Sequence, residues 1–265
     1  MKWRSVLSLA LALLTSACAT TDNQAPISGE PALIVMTSGG FAEAMDRLEA
    51  QFERRIGRQI TIVKGSSAGG ASDSIPERLK RGERADVVIL SREGLTILEN
   101  VKGVQPGSSR DLVRSLIGMA VREGAPVPDI STAAKFSEVL LSAPSIGYSA
   151  SASGTYLATD LWPRLGLADR LLPKSKRILS ERVGNVVARG EVAIGFQQMS
   201  ELLPVKGIRV VGPIPGAYQK VTIFTAAKTP DGARNPYSDR LFDFLTSPQV
   251  LKQVATTGLE PMRGR

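Results

Sequence analysis

Residues 32–45 read Ala-Leu-Ile-Val-Met-Thr-Ser-Gly-Gly-Phe-Ala-Glu-Ala-Met, an apolar run that ends in a Ser-Gly-Gly turn and passes directly into a helical pattern. Two more apolar runs, 60–63 and 146–148, end in serine and glycine clusters at 65–70 and 149–154, and each cluster is predicted to open a helix. A helix start presents unpaired backbone N–H groups, glycine lets a ligand approach the backbone, and serine adds a neutral hydroxyl donor. One such turn is an ordinary cap, but three in one chain predict a pocket that holds an anion.

The first 19 residues have the pattern of a secretory signal, because Lys2 and Arg4 precede an apolar run that ends in small residues around Cys18. Two processing routes fit this pattern. A lipobox would place a lipid on Cys18, whereas cleavage after Ala19 would discard the thiol. Residues 20–30 are predicted to be a tether. We therefore expect a periplasmic protein that touches the membrane only through a lipid on Cys18.

The sequence contains no histidine, and Cys18 is its only cysteine. Without histidine the chain cannot form a Ser-His-Asp triad, and it lacks the commonest general base and metal ligand. No run of aspartates has the spacing of a calcium loop. We expect no metal and no cofactor. Any catalysis must use Asp, Glu, Lys, Tyr or Ser, which favours a binding protein over an enzyme.

The formal charge of +8 raises the question of a nucleic-acid partner. No stretch of lysine and arginine alternates with aromatic residues, which make up only 5% of the chain, so no stacking platform for bases is evident. We expect no nucleic acid. A basic surface that draws in a small anion and a merely solvated cationic surface explain the charge equally well.

Strand-like and helix-like patterns alternate along the chain, which predicts an α/β architecture with ligands at the carboxyl ends of the strands. The continuous apolar run 87–90 is typical of a strand covered on both faces. Helical spacing of Ala44, Leu48 and Phe52 predicts a helix over 43–51, with Gly57 just past its end.

Residues 32–262 resemble the periplasmic molybdate-binding proteins. The likeness lies in the turn at Ser38, the Gly65-Ser66-Ser67 turn and the segment Arg-Ala-Asp-Val-Val-Ile at 84–89. It implies an α/β, two-lobed type 2 periplasmic-binding-protein fold with two crossover segments and a central ligand cleft. It also implies a small anionic ligand and an ABC permease as partners.

By this resemblance, lobe 1 comprises residues 31–116 plus 225–265, and lobe 2 comprises residues 117–224. The apolar runs 115–121 and 221–227 would be the crossovers. Alternatively, these two runs are further core strands of a single domain.

The resemblance places ligand-binding residues on the three turns and on two segments of lobe 2, where Arg182 could also pair with a carboxylate through two hydrogen bonds. The expected set is Ser38, Gly39, Gly40, Ser66, Ser67, Ser151, Ser153, Arg182, Val183, Gln197 and Gln198. The family's pocket tyrosine falls at Phe196, which has no hydroxyl. The amides of Gln197 and Gln198 are foreign to a tight site for a tetrahedral anion. This departure favours a di- or tricarboxylate, such as aconitate, over molybdate.

The Ser-Gly-Gly-Phe turn at 38–41 and the Gly-Phe-Gln-Gln stretch at 195–198 are also similar to the secreted aconitate isomerases. Two functions therefore stay open: anion binding alone, or interconversion of trans- and cis-aconitate by a metal-free allylic proton shift. An isomerase needs a base near the substrate methylene. The candidates are Glu181, Glu201, Tyr148 and Lys64, and Glu181 is preferred as the catalytic residue because it flanks an expected pocket segment.

Overall fold

The structure is a computed structural model, and it describes residues 32–68 and 70–262. The predictions of a signal, a lipid on Cys18 and a tether concern residues that lie outside these ranges. A search of the described helices finds none with the length and apolar character needed to cross a bilayer.

Strands and helices alternate, as the sequence predicts. The strands are β1 Ile34–Ser38, β2 Thr61–Gly65, β3 Val87–Ser91, β4 Arg110–Ser115, β5 Ile117–Arg122, β6 Ile146–Ser149, β7 Ser175–Ile178, β8 Ile194–Gln198, β9 Ile208–Pro213, β10 Thr222–Lys228 and β11 Glu260–Pro261. The helices are α1 Gly39–Ile56, α2 Ile75–Lys80, α3 Arg92–Asn100, α4 Ala133–Ser142, α5 Ala152–Tyr156, α6 Trp162–Arg164, α7 Ala168–Leu171, α8 Val183–Ala188, α9 Met199–Leu202, α10 Pro236–Leu245 and α11 Pro248–Ala255. A π-helical turn over Leu157–Leu161 joins α5 to α6.

The first sheet has the strand order β11-β4-β10-β3-β1-β2. In it β1 runs parallel to β2 and β3, and β10 runs antiparallel to β3 and β4. The predicted strand over 87–90 is confirmed as β3. Val87 and Ile89 enter one hydrophobic core, and Val88 and Leu90 enter another. This sheet is therefore covered on both faces, which explains why β3 is apolar throughout.

The second sheet has the order β7-β6-β8-β5-β9, with β6 parallel to β7 and β8 and with β5 antiparallel to β8 and β9. Its larger core contains the fully buried Phe136, Trp162 and Phe196. A smaller core, built around the buried valines of α8, includes Val183, Val186 and Val187.

The chain crosses between the sheets twice. It passes from β4 to β5 at residue 116 and returns between Pro213 and Thr222. The predicted crossover runs 115–121 and 221–227 adjoin these passages, but most of their residues belong to β5 and β10, because each crossing ends in a strand of the sheet that it enters. The assignment of whole lobes to 31–116 plus 225–265 and to 117–224 stays a prediction.

Helix α1 confirms the predicted helix and extends it in both directions. Ala44, Leu48 and Phe52 are buried on one face, at the spacing that brings residues of successive turns together. Gly57 ends the helix with a φ of 68°, a left-handed conformation that glycine adopts without a side-chain clash. Because β1 passes directly into α1, the start of this helix lies at the carboxyl edge of the first sheet.

Candidate functional site

A cleft of about 230 Å³ lies at the carboxyl ends of strands from both sheets. It is lined by the ends of β1, β2, β6, β7 and β8, by the segments that follow them, and by one residue of β10. The lining residues are Ser38, Gly39, Gly40, Ala42, Lys64, Gly65, Ser66, Ser67, Ala71, Asp73, Ser149, Ala150, Ser151, Ala152, Ser153, Ile178, Ser180, Glu181, Arg182, Gln197, Gln198, Glu201 and Phe224. All the expected ligand-binding residues except Val183 are among them, and so are all the candidate bases except Tyr148.

Ser38 is the N-cap residue of α1, but its side chain makes no capping hydrogen bond. It is 2% exposed, and its Oγ has no hydrogen-bond partner among the described residues. A buried hydroxyl without a partner is costly unless another molecule satisfies it. At the start of an 18-residue helix, this hydroxyl is therefore well placed to donate to an anion.

The second turn differs from the sequence-based prediction. The serine and glycine cluster does not open a helix, because a loop separates β2 from α2, which begins only at Ile75. Ser67 Oγ accepts a hydrogen bond of 2.9 Å from the backbone N–H of Ser91, so its own O–H proton is left to donate toward the cleft. Ser66 Oγ instead donates to the backbone carbonyl of Ala68 at 3.0 Å.

The third turn leads from β6 directly into α5. The Oγ atoms of Ser149 and Ser153 are 3.0 Å apart, and both side chains are buried. Ser151 is the N-cap residue of α5 and makes no side-chain capping bond. A Cβ at Gly154 would lie only 1.8 Å from the carbonyl oxygen of Ser149, so the turn closes tightly only with glycine at this position.

Val183 is the one expected ligand-binding residue that does not line the cleft. Its N–H donates to Gln197 Oε1 at 2.7 Å, and the residue is fully buried. This bond fixes the orientation of the Gln197 amide, whose Nε2 then donates to Glu201 Oε1 at 2.8 Å. In Gln198 the Nε2 donates to Thr222 Oγ1 at 2.8 Å, while the buried Oε1 has no partner in the part of the chain that the structure describes.

Glu201 is a carboxyl group buried in the wall of the cleft, with 8% of the residue exposed. Burial raises its pKa to about 7, against the opposing effects of the nearby Arg182 charge and of hydrogen bonds from Gln197 and the backbone of Gln198. Its Oε1 lies close to the start of α1, since a side chain at Gly39 would meet it at 2.3 Å. Near neutral pH, both the protonated and the ionised form of this carboxyl are therefore populated.

The other candidate bases have different surroundings. Glu181 lines the cleft, but both its carboxylate oxygens accept hydrogen bonds of 3.0 Å from Arg189, and its side chain is 41% exposed. Lys64 lines the cleft and pairs with Asp46 at 2.6 Å. Tyr148 packs edge-on against Trp162 in the core of the second sheet.

Phe196 does not lie in the cleft, although the resemblance aligns it with a pocket tyrosine. It is fully buried and packs edge-on against Phe136. Because side chains alternate along a strand, Phe196 and Gln197 of β8 face opposite sides. The missing hydroxyl of Phe196 therefore gives no information about the ligand. The argument from the amides of Gln197 and Gln198 still applies, since both residues line the cleft.

Two polar lining residues gave no signal in the sequence. Asp73 lies in the loop after the second turn, and its buried Oδ1 has no hydrogen-bond partner within the described ranges. Ser180 lies beside Glu181 with a φ of 35°. Within the described ranges, no three acidic, histidine or cysteine side chains come together in a way that could hold a metal ion.

Comparison with known proteins identifies the family. The family model described as bacterial extracellular solute-binding protein matches residues 33–260. An aconitate isomerase from Pseudomonas sp. is 40% identical over 230 residues, which cover 87% of this chain and 88% of the relative.

Solved structures are similar in fold at low sequence identity. The periplasmic molybdate-binding protein of Azotobacter vinelandii matches with a TM-score of 0.68 at 19% identity, over 88% of this chain and all of the other. PEB3 with bound L-phospholactate, a Campylobacter jejuni protein, matches with a TM-score of 0.64 at 12% identity, over 86% of this chain and 99% of the other. The chain therefore belongs to the bacterial extracellular solute-binding proteins, and it has the two-lobed fold of the periplasmic molybdate-binding type.

Proposed function

We propose that the cleft binds a di- or tricarboxylate such as aconitate, and that the protein is an aconitate isomerase acting in the periplasm. The observation that carries this proposal is the buried carboxyl of Glu201, which lies among neutral anion donors and has a pKa of about 7. The name of the relative at 40% identity supports the same substrate.

The donors of the cleft suit a carboxylate. Ser38 and Ser67 offer hydroxyl protons, the start of α1 offers unpaired backbone N–H groups, and Arg182 offers a guanidinium that can hold a carboxylate with two bonds. Gln197 and Gln198 add amide groups to the wall. The structural neighbour PEB3 has been solved with L-phospholactate, a small anion that itself carries a carboxylate.

The proposed reaction moves one proton across an allylic system. Ionised Glu201 removes a proton from the methylene carbon of trans-aconitate, and the electron pair spreads over the C=C bond and the adjoining carboxylate. A proton is then returned to the former vinylic carbon, which shifts the double bond and gives cis-aconitate with no change in composition. Donors at Ser38 and Ser67 would stabilise the charge that the carboxylate gains in the transition state.

Gln197 holds the Glu201 carboxyl in position. Its amide is held by the backbone N–H of Val183 and donates to Glu201 Oε1, so it fixes the carboxyl and favours its charged form. Ser200 Oγ donates to the backbone carbonyl of Gly40 at 2.7 Å and thereby fixes α9 against the start of α1. A base held from both sides is what proton abstraction at a fixed carbon requires.

Simple binding for transport, with an ABC permease as partner, is the second candidate, and family membership favours it. A carboxyl group beside the ligand is of little use to a protein that only binds anions, because the ionised carboxylate repels the anion. The acid at Glu201 therefore argues for turnover. Glu201 also occupies the third position of α9, where a glutamate commonly caps a helix, and the binding hypothesis would assign it that role alone.

Turnover in heavy water separates the two candidates. The mature protein is incubated with trans-aconitate and a chelator between pH 6 and 9, with a protein-free blank, and the mixture is followed by proton NMR. We expect cis-aconitate to form, together with deuterium in the substrate methylene wherever the abstracted proton exchanges with solvent. Binding of trans-aconitate in a calorimeter without any conversion would instead establish a binding protein.

A further inference from the structure

An ion pair connects the two sides of the cleft at its edge. Arg182 Nη2, at the start of α8, lies 3.4 Å from Oε2 of Glu43 on α1, although 139 positions separate the two residues in the chain. Both side chains are largely buried, with 29% and 19% of their surfaces exposed. The other oxygen of Glu43 accepts a hydrogen bond of 3.1 Å from Arg47, one helical turn further on.

Arg182 is the cation that the lining offers to a ligand. The described lining residues include two basic side chains, and Lys64 already pairs with Asp46 at 2.6 Å. Arg182 makes one long contact with Glu43, and a planar guanidinium has further N–H groups to offer. Its charge is also felt by Glu201 inside the cleft. Arg182 therefore lies between a carboxylate at the edge and the carboxyl in the wall.

We propose that Arg182 binds a second carboxylate of the ligand and so favours ligands that carry at least two carboxylates, and that Glu43 competes with this carboxylate for Arg182. One carboxylate of the ligand binds at the Ser38 and Ser67 turns, and a second takes the place of Glu43 on Arg182. Arg47 still pairs with Glu43 when Glu43 releases Arg182, so the exchange replaces one carboxylate on Arg182 by another. The inference deepens the proposed function, since it rests on a polycarboxylate as the ligand.

Calorimetry with tricarballylate tests this inference without any turnover, because this saturated tricarboxylate cannot isomerise. Butyrate serves as the monocarboxylate for comparison. We expect Glu43→Gln to tighten tricarballylate binding about three- to tenfold and to leave butyrate binding unchanged, since only the second carboxylate competes with Glu43. Arg182→Gln should abolish the preference for tricarballylate over butyrate.

The control variant is Glu49→Gln, which removes the same charge from the same helix, whereas the partner of Arg182 is Glu43. It should leave both affinities unchanged, and melting curves check that each variant is folded. Unchanged or weaker tricarballylate binding by Glu43→Gln, or equal tightening by Glu49→Gln, would overturn the inference while the isomerase proposal stands. Failure of the wild-type protein to bind tricarballylate at all would overturn both.

Discussion

At the scale of single residues, Ser38 and Ser67 differ in the hydrogen bonds that their hydroxyls make within the protein. Ser38 Oγ is buried and has no partner among residues 32–68 and 70–262, whereas Ser67 Oγ accepts a hydrogen bond from the backbone of Ser91. Both hydroxyls line the cleft. The same substitution at the two positions should therefore separate a role in binding from a role in folding.

We predict that Ser38→Ala weakens tricarballylate binding by roughly 1–3 kcal/mol and leaves the stability of the free protein unchanged or higher, because no internal hydrogen bond is lost. Ser67→Ala should weaken binding similarly and also destabilise the free protein by about 1 kcal/mol, since the N–H of Ser91 loses its acceptor. Calorimetry measures the first effect and urea denaturation without ligand the second. Equal losses of stability in the two variants would contradict these roles.

The residue types in the turns predicted which segments line the cleft, but the hydrogen bonds that these residues make could not be predicted from the sequence. Serine beside glycine at three strand ends predicted a pocket there, and Ser38 and Ser67 line the cleft as expected. Val183 does not, and its N–H is taken by Gln197, a residue 14 positions away. Glu181 and Glu201 were both candidate bases in sequence. Only the folded chain shows that Glu181 has Arg189 as its partner while Glu201 is buried in the cleft.

At the scale of elements, the site depends on the contact between the β8–α9 corner and the start of α1. Gln197 and Glu201 come from this corner, and α1 approaches it closely because Gly39 has no side chain. The helical spacing of apolar residues in α1 and the apolar run of β3 were evident in the sequence. The short edge strand β7, Ser-Lys-Arg-Ile, was not, because its two central residues are exposed and carry no apolar alternation.

The burial of Glu201 in this contact makes stability depend on pH. A carboxyl whose pKa is 4.5 in the unfolded chain and about 7 in the folded protein binds its proton more tightly when folded. Its contribution is therefore neutral below pH 4.5 and destabilises the protein increasingly as the pH rises to about 7, by about 3 kcal/mol in total.

We predict that Glu201→Gln is more stable than the wild-type protein at pH 8, and that this difference shrinks toward zero near pH 4.5. Glutamine suits the variant, because it can also cap α9 at this position and accept the bond from Gln197. Urea denaturation of both proteins across this pH range gives the difference directly, since contributions of other groups cancel. Parallel curves for the two proteins would show that Glu201 titrates normally.

At the scale of the whole molecule, the two sheets bring residues far apart in the chain to one cleft. The resemblance stated from the sequence predicted this architecture, and the matches to the family model and to the molybdate-binding protein confirm it. Contacts across the cleft, such as Arg182 with Glu43 and Ser200 with Gly40, could not be predicted from one sequence. They depend on how the two sheets pack, and neither residue pair carries a local pattern.

In the proposed reaction, Glu201 removes a proton from the methylene carbon of bound trans-aconitate. The most direct test compares turnover with ligand binding in matched variants. Turnover of trans-aconitate is followed by NMR, and tricarballylate affinity by calorimetry, for the wild-type protein, Glu201→Gln and Glu181→Gln. We predict that Glu201→Gln lowers kcat by about 10²–10⁴-fold while tricarballylate affinity changes by no more than a few-fold, because a base acts mainly in the transition state. Glu181→Gln should keep most of its turnover, since Glu181 is paired with Arg189. Full turnover in Glu201→Gln, or its loss in Glu181→Gln alone, would contradict the assignment.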